Sequence, residues 1–114
     1  MTMEIKPTIS FDDFAKADLR VGTIISADDL EESHKLIKLI VDIGVEKRQI
    51  IAGIKKYYKV EDLVGKQVVI IVNLEPRNLA GYESQGMLLA TSNDESGPII
   101  LLPEKPIADG SIIK

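Results

Sequence analysis

The chain has 114 residues, enough to bury one hydrophobic core but not two. Its formal net charge is −4, and it holds one histidine and no cysteine, which excludes disulfides, thiol catalysis and thiolate metal sites. A zinc site built on one histidine would need mostly carboxylate ligands, an uncommon arrangement. The sequence has no membrane-length apolar run and no signal-peptide core near its start. We expect a cytoplasmic, single-domain protein over residues 1–114, with no membrane contact.

Charge is unevenly distributed along the chain. Residues 35–82 hold nine basic and five acidic side chains, whereas the segments on either side are acidic. A basic centre can attract a polyanion to one face even when the whole chain is acidic. The alternative is an ordinary mixed surface, and charge alone does not decide between the two.

A short helix is predicted near the start of the chain, within Ile9–Lys16. Ser10 is a favourable N-cap residue, and the two aspartates that follow suit the positive end of a helix dipole. Phe11 and Phe14 are three residues apart, so both rings would lie on one face of the helix and pack inward.

Alternating apolar residues, many of them β-branched, predict strands over much of the remaining chain. Gly22 in the first strand indicates a bulge or a sharp bend. The acidic residues 28–32 are expected to form a loop, and a short helix is expected within Ile54–Val64. The six strands are predicted over Asp18–Ala27, Leu36–Ile43, Gln49–Ala52, Gln67–Val72, Gly86–Thr91 and Pro98–Pro103.

This order of elements indicates a mainly all-β OB-fold. We predict a five-stranded barrel with a short helix between strands three and four and extra N- and C-terminal elements. A small β-sandwich fits the pattern nearly as well. Since the chain has only five aromatic residues, the core must be built from Ile, Leu and Val.

Catalysis has little chemistry to draw on in this sequence. Acid–base chemistry near neutral pH most often uses histidine, and His34 is the only one. Glu32 and Ser33 beside it match the composition of a catalytic triad, but neighbours along a chain rarely reach triad geometry. No Walker loop, dinucleotide-binding glycine motif or acidic metal cluster is found. We predict an exposed loop histidine and a protein that is not an enzyme.

The most informative stretch is residues 73–90, which begins with a polar connection between the fourth and fifth strands. It combines amide, guanidinium, hydroxyl and thioether groups, an inventory that suits RNA. The alternative is a hairpin loop whose asparagine and serine residues serve turns. The candidate contacts are Arg77 with phosphate, Met87 and Tyr82 with a base, and Asn73, Asn78 and Ser84 with base edges and the 2′-hydroxyl. We expect Ser84 and Met87 on the exposed face of the barrel; the alternative is that Met87 is a core residue like Leu88 and Leu89.

The same stretch resembles the signature of the tRNA-binding domain family. That domain occurs at the C-terminus of many methionyl-tRNA synthetases, as a free-standing tRNA-binding protein, and in the endothelial monocyte-activating polypeptide. The family pattern, Asn-Leu-x-Pro-x-x-Leu-x-Gly-x-x-Ser-x-Gly-Met-Leu-Leu-Ala, is met at every fixed position from Asn73 to Ala90. The resemblance extends over about residues 11–113, through Asp18–Gly22, Arg48–Ile54 and Gly65–Lys66.

The resemblance implies a non-catalytic module that binds the outer elbow of tRNA by shape and phosphate contacts. Such a module would act alone or as the beta or C-terminal appendage of methionyl-tRNA synthetase. It implies no catalytic residue, no metal and no cofactor. Together with the local chemistry, it predicts tRNA contacts at Lys35, Lys55, Lys56, Asn73, Arg77, Asn78, Ser84, Gln85 and Met87.

Two positions depart from the family pattern. Relatives carry His-Pro-x-Ala-Asp-Lys-Leu in the loop before the second strand. Here Leu30 stands in place of the histidine and His34 in place of the aspartate, while Lys35 and Leu36 are kept. Ala52 stands where a serine is common. Whether this loop and residue 52 contact RNA is therefore left open.

The resemblance also implies a homodimer, because free-standing relatives pair through the segments that flank the barrel. A second copy would enlarge the footprint on a folded RNA, which helps to offset the cost of association. The alternative is that both ends close their own barrel. The predicted interface residues are Phe11, Phe14, Ile107, Ile112 and Ile113.

A competing function comes from another branch of the same superfamily. That branch resembles export-associated chaperones, which bind unfolded peptides on a dimeric OB scaffold. It typically lacks the Ser-x-Gly-Met-Leu-Leu element, which is present here at residues 84–89. The sequence therefore favours tRNA over peptide.

Overall fold

The computed structural model describes residues 4–114, and these form mainly strands. The two helices among them are α1 (Phe11–Ala15) and α2 (Val60–Leu63). The ten strands are β1 (Leu19–Asp29), β2 (Ile37–Asp42), β3 (Lys47–Ala52), β4 (Gln67–Ile71), β5 (Arg77–Leu79), β6 (Tyr82–Ser84), β7 (Met87–Leu88), β8 (Ala90–Asn93), β9 (Gly97–Ile100) and β10 (Ile112–Ile113).

The principal sheet has the order β3-β2-β1-β4-β7, and all its pairs are antiparallel. β10 pairs with the first two residues of β1, so the C-terminus returns to the barrel. β5–β6 and β8–β9 form two separate hairpins. This sheet, with α2 between β3 and β4, confirms the predicted five-stranded OB-like fold.

The barrel closes between β3 and the segment that joins β6 to β7. The amide of Gln85 donates to the carbonyl of Gln49 at 2.7 Å. Two side-chain oxygens complete the seam: Ser84 Oγ accepts from the amide of Ile51 at 3.0 Å, and Gln85 Oε1 accepts from that of Gln49 at 2.9 Å. These oxygens take the place of strand carbonyls, so the open edge of β3 is satisfied without a continuous strand pair.

The core is aliphatic, as the composition predicts. Along β2 the side chains alternate, with Ile37, Leu39 and Val41 buried and their neighbours half-buried. Leu63 of α2 is fully buried in the same cluster, where it contributes about 1.5–3 kcal/mol by apolar burial. The hydrophobic cluster comprises Ile24, Ile37, Leu39, Val41, Ile43, Ile50, Ala52, Ile54, Leu63, Val68, Ile70, Val72, Leu88 and Ile100.

The first strand differs from its prediction in two ways. It runs to Asp29, so the first two acidic residues of the predicted loop belong to β1. The bulge lies at the register shift between Ile24 and Ser26 rather than at Gly22. Gly22 instead allows β2 to approach, because a Cβ there would stand 2.6 Å from Val41 Cγ1.

The predicted fifth strand is also divided. β7 pairs with β4, whereas β8 begins at Ala90 and pairs with β9. Between them the amide of Leu89 donates to the carbonyl of Val69 at 3.0 Å. An apolar pattern predicts extended chain without indicating its partner, so the change of sheet was not visible in the sequence.

α1 is correctly predicted, but the packing of its rings is not. Ser10 caps the helix by accepting from the amide of Asp13 at 3.0 Å. No residue of α1 is buried, and Phe11 is 72% exposed. Phe11 and Phe14 contact each other, with ring centroids 6.3 Å apart, instead of packing into the core.

Candidate nucleic-acid interface

The signature segment, residues 73–90, contains the hairpin β5–β6, the closure of the barrel, and β7. Arg77 pairs with Ser84 and Leu79 with Tyr82 across the hairpin. Asn78 Oδ1 accepts from the amide of Gly81 at 3.2 Å and so closes the turn. The hairpin interpretation of this stretch is therefore correct, and Asn78 has one of its polar atoms engaged in the turn.

Three predicted contact residues of the segment use their side chains inside the protein. Asn73 joins the N-terminal segment to the barrel, since its Oδ1 accepts from the amide of Asp18 at 2.8 Å and its Nδ2 donates to the carbonyl of Lys16 at 2.6 Å. Ser84 and Gln85 form the closure described above, and the Ser84 hydroxyl also donates to the carbonyl of Gly86. The polar atoms of these three side chains are therefore engaged in hydrogen bonds that stabilise the fold.

The prediction that Ser84 lies on the exposed barrel face is wrong. Ser84 is only 4% exposed, because its hydroxyl hydrogen-bonds to the amide of Ile51 in β3 and to the carbonyl of Gly86. Gly86 itself has φ +143°, and a Cβ there would stand 2.7 Å from the carbonyl oxygen of Ile71. The Ser-x-Gly part of the signature thus specifies a close approach of backbones.

Arg77 and Met87 face outward instead. Met87 is 44% exposed, which confirms its predicted position on the surface. Arg77 is exposed, and its guanidinium makes no hydrogen bond or ion pair with any residue between 4 and 114. Both side chains are therefore available at the surface to a ligand.

Both residues line a groove of about 290 Å³, which we call the signature groove. Its apolar wall combines side chains from four parts of the chain, namely Leu36, residues 51–54, the signature segment and Pro98. No single stretch of the sequence therefore predicts the groove. Leu36 precedes β2, Ile54 follows β3, and Pro98 lies in β9. The lining is Leu36, Ile51, Ala52, Gly53, Ile54, Arg77, Leu79, Met87, Leu88, Ala90 and Pro98.

The predicted lysines lie near this groove but differ in availability. Lys35 is exposed beside Leu36, and Lys56 is exposed after Ile54. Lys55 Nζ donates to the carbonyls of Leu30 and Ser33 at 2.8 and 2.9 Å. The ammonium of Lys55 therefore braces the loop before β2.

The altered loop has a structural explanation. Leu30, where relatives have histidine, is only 4% exposed and belongs to the buried interior. His34 is exposed, as predicted for a loop residue. Ala52 is buried and lines the signature groove. Leu30 and Ala52 therefore provide apolar packing, whereas His34 keeps a polar group at the surface.

Tyr82 is partly occupied by its own protein. Lys38 Nζ lies 5.7 Å from the centre of its ring, a cation–π contact, and its hydroxyl donates to Glu32 Oε1 at 3.4 Å. The ring remains half-buried. A base could stack only on the face of the Tyr82 ring that Lys38 does not cover.

A second depression, the lysine pocket, occupies about 580 Å³ beside α2. Lys66 Nζ lies 6.0 Å from the centre of the Tyr58 ring. Lys55 and Lys56 are predicted tRNA contacts. Lys59 follows them closely along the chain, and Lys66 lies beyond α2 and joins them through the β3–α2–β4 connection. The lining is Lys55, Lys56, Tyr57, Tyr58, Lys59, Asp62 and Lys66.

The flanking segments form an apolar surface on another part of the barrel. Phe11, Phe14, Ile112 and Ile113 line a depression of about 430 Å³. Ile107 is 52% exposed but does not line it, so four of the five predicted interface residues are brought together.

Arg20 and Asp18 supply charge at the edge of this depression. A 2.9 Å hydrogen bond to Asp18, together with the charge of that carboxylate, raises the pKa of the Arg20 guanidinium. The raised pKa keeps the guanidinium protonated and paired with the Asp18 carboxylate.

Arg48 is a structural arginine that sequence reasoning did not single out. Its Nη1 donates to the carbonyls of Val72 and Gln85 at 2.8 and 3.0 Å, and its Nε donates to Glu46. It thereby holds the end of β4 and the closure segment against β3.

Across residues 4–114, no three His, Cys, Asp or Glu side chains form a metal-binding group. No helix among these residues is long and apolar enough to cross a membrane.

Comparison with known proteins agrees with this geometry. The family model described as "Putative tRNA binding domain" matches residues 19–111. The chain belongs to the tRNA-binding domain family. A methionine–tRNA ligase of Protochlamydia amoebophila is 50% identical over 109 residues, which cover 96% of this chain. The chain spans only 15% of that ligase, so the match concerns one domain of a longer enzyme.

Two solved structures share the fold of this tRNA-binding domain over nearly its whole length. The MetRS related protein from Pyrococcus horikoshii has a TM-score of 0.89 and 33% identity, with 96% of this chain and all of that chain covered. Chaperone CsaA from Bacillus anthracis has a TM-score of 0.86 and 32% identity, with 95% and 100% covered. The domain is a binding module rather than a catalytic one.

Proposed function

We propose that the signature groove is the tRNA-binding surface of this domain and that it recognises the outer elbow by shape and phosphate contacts. The observation that carries the proposal is the unpaired guanidinium of Arg77 beside an apolar groove that exposes Met87. A guanidinium suits phosphate, and an apolar floor suits a ribose or an unstacked base. Lys35 adds a cation beside the groove.

Residues 1–114 would act as one domain, in the cytoplasm where tRNA is charged. The similarity to one domain of a methionine–tRNA ligase and to a free-standing MetRS related protein supports a role as a free or C-terminally appended tRNA-binding subunit of methionyl-tRNA synthetase. The free subunit would raise the local tRNA concentration for the enzyme, while the chemistry stays with the synthetase. Co-purification of the synthetase with the tagged chain from native cells tests this association.

The experiment for tRNA binding is a salt titration of fluorescently labelled tRNA. We expect log-linear loss of affinity with salt, because phosphate contacts release counterions. A matched DNA duplex should bind weakly, since the net charge is −4. Two tRNAs with different anticodons should bind alike, and an isolated acceptor-stem minihelix without the elbow should bind more weakly. Equal affinity for tRNA and the DNA duplex would contradict the proposal.

Peptide binding is the second candidate function. It is favoured by the likeness to chaperone CsaA and by the apolar wall of the signature groove. A denatured, neutral protein offered at matched salt separates the two functions. Peptide binding would bury apolar area and change little with salt, whereas tRNA binding would weaken steeply.

We further propose that the domain is a homodimer joined through its flanking segments. Phe11 and Ile112 are 72% and 61% exposed, which is costly for large apolar side chains that form a continuous surface. A second copy would cover them and double the surface offered to tRNA. Light scattering at low micromolar concentration should give twice the chain mass, and Phe11→Ser/Ile112→Ser should give a monomer. A monomeric wild type with full tRNA affinity would contradict the dimer.

A further inference from the structure

The lysine pocket concentrates positive charge that no ion pair among residues 4–114 neutralises. It holds four lysines against one carboxylate, Asp62. Lys56, Lys59 and Lys66 form no ion pair within residues 4–114, and Lys55 is bound to carbonyls of the loop before β2. Like charges held close together repel one another, so this pocket favours an anion.

The backbone that carries these lysines is fixed by the barrel. The Tyr58 hydroxyl accepts from the amide of Ile100 at 3.2 Å, which ties the β3–α2 connection to β9. Lys66 is held on both sides, since its amide donates to the carbonyl of Leu63 and its carbonyl accepts from the amide of Ile24. The lysine side chains therefore project from a rigid frame, which lowers the entropic cost of binding.

The lysine pocket adjoins the signature groove. Ile54 lines the groove and the next residue, Lys55, lines the pocket. On the facing hairpin, Pro98 lines the groove, while Gly97 packs directly against the ring of Tyr57 in the pocket. Tyr57, which is 56% exposed, therefore lies on the side of the pocket that faces the groove-lining residue Pro98.

We infer that the lysine pocket is a second RNA subsite, which takes the phosphodiester backbone of the same tRNA whose bases or riboses contact the signature groove. Lys56, Lys59 and Lys66 contact phosphates, and the exposed ring of Tyr57 supports the chain between the two depressions. An ammonium is a suitable point charge for a phosphate oxygen, and an aromatic ring beside lysines is typical of surfaces that follow a nucleic-acid backbone. The inference rests on the proposed tRNA function and adds a direction to it, from Met87 over Tyr57 toward Lys66.

The test compares two charge-matched double variants of the whole chain. Lys59→Gln/Lys66→Gln removes two cations of the pocket, and Lys6→Gln/Lys47→Gln removes two exposed cations that line neither depression. Loss of two phosphate contacts should reduce the slope of log affinity against log salt by about two units. The control should retain the wild-type slope within the uncertainty of the fit, and Lys59→Arg/Lys66→Arg should retain it too.

Chemical protection of lysines in the wild-type protein provides an independent measurement. It does not depend on whether a variant folds. Lysine acetylation followed by mass spectrometry should show protection of Lys56, Lys59 and Lys66 when tRNA is bound, with Lys6 and Lys47 unprotected. Polyglutamate of matched charge should give little protection, because the spacing of phosphates is not reproduced.

The outcomes separate this inference from the proposed function. If wild type binds no tRNA, the proposed function fails. If wild type binds tRNA but the pocket variant keeps the slope of the control and the lysines stay unprotected, only the second subsite is overturned. Equal protection by polyglutamate would also overturn it, since the pocket would then be a general anion site.

Discussion

Two sets of side chains in the signature segment can be compared residue by residue. The inward set, Asn73, Ser84 and Gln85, forms hydrogen bonds to distant parts of the chain. The outward set, Arg77 and Met87, leaves its functional atoms at the surface. Both sets lie within the same eighteen residues that match the family pattern. A matched motif therefore identifies the residues that build a fold as well as those that contact its ligand, and only burial and hydrogen bonding separate them.

The largest effect on stability is expected for the inward set, at Ser84. Ser84→Ala leaves the buried amide of Ile51 without an acceptor, which costs about 1–3 kcal/mol of the free energy of unfolding. Denaturant unfolding measures this loss. Ser92→Ala, on the exposed strand β8, is the matched control and should change stability by no more than about 0.5 kcal/mol. Unchanged stability of Ser84→Ala would place the serine in the outward set.

The largest effect on binding is expected for the outward set, at Met87. Met87→Ala should weaken tRNA binding by about 1–3 kcal/mol if the thioether packs against a base. Its cost in stability should stay below the 2–5 kcal/mol typical of a fully buried methionine, because the side chain is half-exposed. Met87→Leu should restore most of the affinity. A large loss of stability without loss of affinity would make Met87 a core residue.

Asn73 tests the inward set at its other end. Asn73→Ala removes two hydrogen bonds at an exposed position and should cost about 1 kcal/mol. The effect should be local, with faster hydrogen exchange at the amide of Asp18 and little change in tRNA affinity. A loss of tRNA affinity in Asn73→Ala with exchange at Asp18 unchanged would instead make this amide a ligand contact.

The smallest effect is expected at Arg77. Its guanidinium has no partner to lose among residues 4–114, so Arg77→Ala should leave stability unchanged within about 0.5 kcal/mol. The slope of log tRNA affinity against log salt should decrease by about one unit, the value for one phosphate contact. Arg77→Lys should keep the slope. An unchanged slope in Arg77→Ala would remove Arg77 from the binding surface.

The sequence predicted most of the framework because β-branched alternation and polar breaks mark strands locally. β2, β4 and the capped helix α1 lie within a residue or two of their predicted bounds. The closure of the barrel could not be predicted this way, because Ser84 meets Ile51 only after the strands have paired. A polar residue in a polar stretch predicts exposure, and here tertiary hydrogen bonding outweighs that tendency.

The groove was predictable only in part. Arg77 and Met87 could be selected by their chemistry, but Leu36 and Pro98 complete the groove from elements far away in sequence. The predicted bounds of the fifth strand were wrong for a related reason. Ala90 continues the apolar run of β7 in the sequence, but it pairs with β9 in the structure. Phe11 and Phe14 have helical spacing and yet face outward, because a five-residue helix at the edge has no core beneath it.

NMR of the methionine methyl groups shows directly whether tRNA contacts the signature groove. The chain has three methionines, and Met87 is assigned by the loss of its signal in Met87→Leu. We expect the Met87 methyl signal to shift or broaden on addition of tRNA at saturating concentration, while a matched DNA duplex should leave it in place. If tRNA binds and the Met87 signal is unchanged, the signature groove is not the tRNA-binding surface.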